Sequence, residues 1–141
     1  MKAPEQVSPP AAVPADGGRA YVLVVDDEPV IRRFAARVLL EVGFGVHEAT
    51  DGAEALEMVR SGEADLDIVL SDIVMPRLNG VQLLQSLSTL RPQLPVILMS
   101  GYGTAQLAHR GIASPCGVLT KPFSSDSLVA EVRRCIRSQL T

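Results

Sequence analysis

The sequence predicts an α/β fold in which five β-strands alternate with five α-helices around a parallel sheet covered on both faces. Three observations predict it. Short apolar runs rich in β-branched residues recur along the chain, among them Tyr21 to Val25, Ile68 to Leu70 and Val96 to Met99. They are unbroken rather than alternating, as strands buried on both faces require. Between them lie longer stretches with apolar residues at helical spacing, and strands alternating with helices build parallel sheets.

The elements follow in order. Residues 1–19 hold four prolines, two adjacent glycines and little bulky apolar content, so they read as a disordered Pro/Ala-rich tail or linker, and the domain spans 20–141. Strand one is Tyr21 to Val25, followed by Asp26-Asp27-Glu28. Pro29 suits a first helical position, and Ile31, Phe34, Ala35, Val38, Leu39 and Val42 recur helically until Gly43. Strand two is Phe44 to Ala49. Thr50-Asp51 caps a helix running to about Ser61, with Leu56 and Val59 inward and Gly62 after it. Strand three ends at Asp72, where Met75-Pro76 keeps a helix from starting at once. After Arg77-Leu78-Asn79-Gly80 a third helix carries Val81, Leu83, Leu84, Leu87 and Leu90 and stops before Pro92. Strand four is Pro95 to Met99, ending in Ser100-Gly101. A poorly specified helix, roughly Thr104 to Ala113, contains Gly111. Strand five is Gly117 to Thr120. Ser124-Ser125 caps the last helix, where Leu128, Val129, Val132, Ile136 and Leu140 share a face.

Composition bounds the function. A chain of 141 residues suggests one domain, and 47% hydrophobic with 21% charged residues is an ordinary globular balance. The net charge of -3 argues against a nucleic-acid partner. No apolar run approaches the ~20 residues that span a bilayer, and the N-terminus lacks an apolar signal core, so no membrane and a cytoplasmic location are expected. Cys116 and Cys135 form no C-x-x-C pair and are expected to be reduced packing residues; His47 and His109 are expected to be non-ligands.

In a parallel sheet every strand ends at the same edge, where ligands of such folds collect. That edge gathers Asp26-Asp27, Asp72, Ser100 and Lys121. Three consecutive acids exceed what capping a helix needs. Unit charges 4 Å apart repel by about 4 kcal/mol at an effective dielectric of 20, and a hard divalent cation such as Mg²⁺ relieves this with oxygen ligands. A carboxylate can also act as a nucleophile and become an aspartyl-phosphate, with a lysine and a hydroxyl on the other phosphoryl oxygens. Lys121 and Ser100 supply those parts.

Here the chain resembles the receiver domains of bacterial two-component response regulators, the CheY-like family. The pieces are V-L-V-V-D-D-E, D-I-V-L-S-D-I-V-M-P-R-L-N-G, P-V-I-L-M-S-G-Y and L-T-K-P-F, in order over roughly residues 21 to 140. The resemblance implies a flavodoxin-like, doubly wound sheet of order 2-1-3-4-5. It implies phosphoryl transfer to Asp72 from a histidine kinase or phosphotransfer protein, with Mg²⁺ as cofactor, and no enzyme activity beyond self-phosphorylation and slow autodephosphorylation. Asp27, Asp72 and the Val74 backbone carbonyl would hold the metal directly, and Asp26 through water. Ser100 would contact the phosphoryl group and shift, Lys121 would pair with it, and the Lys121-Pro122 bond would be cis. Val74 and Tyr102 would border the path of the hydrolytic water and slow dephosphorylation. The downstream protein is expected on the face made by the fourth helix, strand five and the last helix. The chain departs from the family at Val118, where many receivers carry an aromatic ring that turns inward. The Pro-rich leader and the M-S-G-Y and L-T-K-P-F pieces are similar to hybrid-kinase receivers; a stand-alone regulator is the other reading.

Two rivals use similar parts. A Mg²⁺-dependent phosphatase of the haloacid-dehalogenase type would place its nucleophile in D-x-D after strand one, where this chain has D-D-E. A flavodoxin-like nucleotide binder would need a Gly-rich first loop, and three acids there would repel phosphate.

Overall fold

The computed structural model describes residues 19–62, 64–101 and 115–140, with backbone alone at 139 and 140. Five strands form one parallel sheet of order β2-β1-β3-β4-β5. They are β1 (Tyr21–Val25), β2 (Gly45–Ala49), β3 (Ile68–Asp72), β4 (Val96–Ser100) and β5 (Gly117–Thr120). Four helices lie among the described residues: α1 (Pro29–Glu41), α2 (Gly52–Ser61), α3 (Gly80–Leu90) and a C-terminal α4 (Ser125–Leu140). The helix expected near residues 104–113, Tyr102, His109 and all of the 1–19 tail except Arg19 fall outside the described residues.

The apolar runs become strands because each can be buried twice. Successive side chains point to opposite faces. Val22 and Val24 therefore enter one core with Leu39, Leu128 and Val132, while Leu23 and Val25 enter the other with Val59, Leu83 and Leu87. β3 and β4 divide the same way, with Leu70 and Ile97 on the first side and Val69 and Leu98 on the second. The first core lies under α1 and α4, the second under α2 and α3.

Helix ends follow the local signals. Pro29 opens α1, and Gly43 follows it at φ 104°. Asp51 caps α2 by accepting from the Glu54 N–H at 2.9 Å, and Gly62 closes it in the left-handed region. Asn79 and Gln82 make a reciprocal capping box on α3, each bond 2.9 Å long. Ser124 Oγ accepts from the Ser127 N–H at the start of α4. Phe44 sits before β2 rather than in it, fully buried. Leu90 is exposed at the end of α3, outside its buried stripe of Leu83, Leu84 and Leu87.

The two cysteines overturn the expectation of reduced packing residues: Cys116 and Cys135 form a disulfide with Cα atoms 6.0 Å apart. The residue before β5 and the inner face of α4 meet in the fold, although they stand 19 positions apart in the chain. His47 stacks on Tyr21, with ring centroids 5.5 Å apart.

Candidate functional site

The strand order reverses between β1 and β3, and their C-terminal ends carry the acids. Such switch points open the crevice where ligands bind in α/β sheets. Asp26 and Asp27 follow β1, and Asp72 is the last residue of β3. One carboxylate oxygen from each lies within 4.8 Å of the others. Ser100 ends β4, and Lys121 follows β5. The five residues singled out at this edge are thus brought to one place by the parallel register.

Asp26 and Lys121 are fixed from several sides. Asp26 is fully buried; its Oδ1 accepts from the Glu28 N–H at 2.9 Å and its Oδ2 from Lys121 Nζ at 3.1 Å. Lys121 Nζ also stands 3.3 Å from Asp72 Oδ2 and 3.7 Å from Glu28. Asp27 is exposed, open to an incoming ligand. The Ile73 N–H bonds the Met99 carbonyl and the Gly80 N–H bonds the Ile73 carbonyl, which pins the chain just after Asp72. Gly80 is required there, since a Cβ would lie 2.3 Å from the Asp72 carbonyl oxygen. Ser100 is buried, and its carbonyl accepts from the Lys121 N–H at 2.8 Å. The Lys121-Pro122 peptide is cis.

Electrostatics follow from the crowding. Burial pushes the Asp72 carboxyl above the usual carboxylate range, and the Asp26 charge pushes it further; Lys121 opposes both. Burial works against the Lys121 ammonium, but its hydrogen bond to Asp26 and the charges of Asp26 and Asp72 outweigh it and hold its pKa above the ordinary value. One lysine thus faces three acids, Asp26, Glu28 and Asp72. Oxygen ligands this close suit a hard divalent cation, so the residues present fit Mg²⁺.

The loop after Asp72 is held on its far side. Arg77 adopts φ 66°, a left-handed conformation unusual for a non-glycine residue, and its guanidinium pairs with Asp51. The Glu54 N–H and Arg77 hold the Asp51 carboxyl below the usual range against the effect of burial. Val74 in this loop is 67% exposed. Val118 is half-buried on β5, opposite Leu98.

Sequence reading missed Arg32. It is buried on α1, where its Nε donates to Glu48 Oε1 at 2.9 Å and its Nη1 to the Asp26 carbonyl at 3.0 Å. A signal was present: Arg32 falls in helical register with Ala35, Ala36 and Leu39 on the buried face.

A family model of the response regulator receiver domain matches residues 22–133. The chain belongs to this family. Similar receiver-bearing proteins include the sensor kinase CckA of Brucella abortus, 39% identical over 123 residues that make up 86% of this chain and 13% of the kinase. The probable transcriptional regulatory protein TcrX of Mycobacterium tuberculosis is 33% identical over 87% of this chain and 52% of the regulator. This receiver chain therefore spans about half the length of that regulator and a small part of the kinase. Among solved structures, the receiver domain of the hybrid histidine kinase CckA aligns at TM-score 0.69 and 32% identity, covering 83% of this chain and 99% of that one. A response regulator receiver protein from Sinorhizobium medicae aligns at 0.78 and 29%, covering 86% and 97%. The receiver reading and the 2-1-3-4-5 sheet hold, and the phosphatase alternative is not favoured.

Proposed function

We propose that this receiver domain accepts a phosphoryl group on Asp72, with Mg²⁺ held by Asp27, Asp72 and the backbone carbonyl of Val74, and by Asp26 through water. The observation that carries the reading is the convergence of three carboxylates within 4.8 Å, with Lys121 3.3 Å from Asp72. An Asp72 oxygen attacks phosphorus in line, the phosphorus–nitrogen bond of a donor phosphohistidine breaks, and the imidazole keeps the electron pair. Lys121, released from Asp72, pairs with a phosphoryl oxygen, and the Ser100 hydroxyl donates to another. A bound Mg²⁺ supplies charge neutralisation for the phosphoryl oxygens.

The donor is a histidine kinase or phosphotransfer protein, and small phosphodonors also serve. The greater identity to CckA than to TcrX supports a place within or beside a hybrid kinase. The downstream protein docks on the face made by β5 and α4, together with the helix expected over roughly Thr104 to Ala113, which lies outside the described residues. With no aromatic ring at Val118, the Ser100 shift is passed on by β4 and β5 themselves. Val74 carries no hydrogen-bonding group, and Tyr102 is bulky, so the phosphoryl group is shielded and slow to hydrolyse. No described helix is long and apolar enough to cross a membrane.

Intact-mass measurement after incubation with acetyl phosphate and Mg²⁺ tests the assignment. A single phosphate adduct on wild type that is absent from Asp72→Asn is expected. An equal adduct on both proteins would falsify the role of Asp72.

A further inference from the structure

We infer that Arg32 is a positioning residue that sets the affinity of the acidic cluster for a divalent cation. The inference rests on the reading of Asp26, Asp27 and Asp72 as that cation's site.

Consecutive residues of an extended strand point to opposite faces. Asp26 and Asp27 are consecutive, yet both bring a carboxylate oxygen to the same small volume as Asp72. The backbone must therefore leave strand geometry between them. The structure shows where it does so. The Asp26 N–H still bonds to β2, donating to the Ala49 carbonyl at 3.2 Å. The Asp26 carbonyl instead accepts from Arg32 Nη1 at 3.0 Å, in a buried contact. The peptide joining Asp26 to Asp27 is thus held in its turned orientation by a guanidinium. A buried carbonyl without a partner would be costly, and rotating back toward the sheet would swing Asp27 off the cluster.

The guanidinium is itself anchored. Its Nε donates to Glu48 Oε1 at 2.9 Å, and the Arg32 side chain is 10% exposed. Two donors of one rigid fork span β2 and the acidic loop at once. A lysine offers one point charge and no such span. The three carboxylates also repel one another, so their convergence needs support from the backbone that carries them. Groups that orient metal ligands without touching the metal commonly set affinity by about 10–100-fold when removed.

The test uses the whole chain and Mn²⁺ as a paramagnetic probe of the cation site. Free Mn²⁺ is read by electron paramagnetic resonance, beside metal-free melting curves. Arg32→Met keeps the apolar stem and removes the fork. We expect its Mn²⁺ Kd to rise about tenfold, with Arg32→Lys recovering only part of the loss. The Mg²⁺ concentration giving half-maximal phosphorylation should rise with it, while the rate at saturating Mg²⁺ returns toward wild type. A merely structural arginine would lower the metal-free melting point and leave the Kd alone. Glu48→Ala serves where Arg32→Met does not fold: it removes one of two anchors, and a weakening of about threefold is expected. Wild-type affinity in folded Arg32→Met, or in Glu48→Ala where the first variant is unfolded, overturns the inference alone. A wild type that takes up no Mn²⁺ overturns the metal reading of the cluster, and this inference with it.

Discussion

Replacing Gly80 with alanine should damage the fold and the site together. The added Cβ would lie 2.3 Å from the Asp72 carbonyl oxygen and 2.8 Å from the Ile73 Cα, both backbone atoms. Opening the first contact to an ordinary separation requires a shift of roughly 0.7–1 Å. No flexible side chain can absorb it. Either α3 slides away and loses the Gly80 N–H bond to Ile73, or the end of β3 is pushed against its pairing with β4. Overpacking of this kind costs about 1–3 kcal/mol. Alanine's better helix propensity returns up to about 1 kcal/mol. The net loss is about 1–2 kcal/mol, which lowers Tm by roughly 3–10 °C for a domain of this size. Displacing the Asp72 backbone by most of an ångström also moves its carboxylate from Asp26, Asp27 and Lys121, and misplacements of that size cost about 100-fold in rate. Circular-dichroism melts and acetyl-phosphate phosphorylation followed by intact mass measure the two effects. Gly101→Ala is the control, because a Cβ there meets nothing within 4 Å. A Gly80→Ala protein with wild-type Tm and wild-type phosphorylation rate would refute the close-packing argument.

Asp72→Asn should raise the metal-free stability at neutral pH. The Asp72 carboxyl titrates higher folded than unfolded, so the native state holds the proton more tightly, and stability falls as pH rises from the ordinary carboxylate pKa through the raised native one. The gain from Asn should be full above that window and vanish below about pH 4; melts in a chelator across that range check it, and no gain at pH 7.5 would contradict the burial argument. The phosphorylated form should persist after donor removal, and Val74→Asn combined with Tyr102→Glu should shorten its lifetime about tenfold, the scale of one well-placed hydrogen bond to the attacking water. Decay no faster in the double variant would rule out shielding by Val74 and Tyr102.

Much of this site was legible because it is written in strand ends. An unbroken apolar run must be buried on both faces, such strands pair in parallel, and parallel pairing sends Asp26, Asp72, Ser100 and Lys121 to one edge whatever the loops do. Helix caps at Asp51 and Gly62 are local chemistry and were readable for the same reason. What escaped depends on register across elements. Arg32 finds Glu48 and the Asp26 carbonyl only once α1 is laid against the end of β2. Cys135 faces Cys116 because it lies on the inner side of α4, beside Leu128 and Val132, a position that spacing of the two cysteines does not reveal. The left-handed turn at Arg77 falls where no glycine marks it; its pairing with Asp51 lies 26 residues away.

The disulfide ties two elements of this receiver domain covalently. It closes a covalent ring that contains all of β5, Lys121 and the first turns of α4. A ring of this size restricts the unfolded chain by about 3 kcal/mol of loop entropy. Inside the folded domain it acts as a short tether. Lys121 Nζ stands 3.3 Å from Asp72, and its backbone N–H donates to the Ser100 carbonyl at 2.8 Å. Displacement of that segment cannot be dissipated by sliding β5 past α4, because their flanks share a bond. Strand and helix are thereby tied at one flank, so β5 and the inner side of α4 are held as one covalently closed unit.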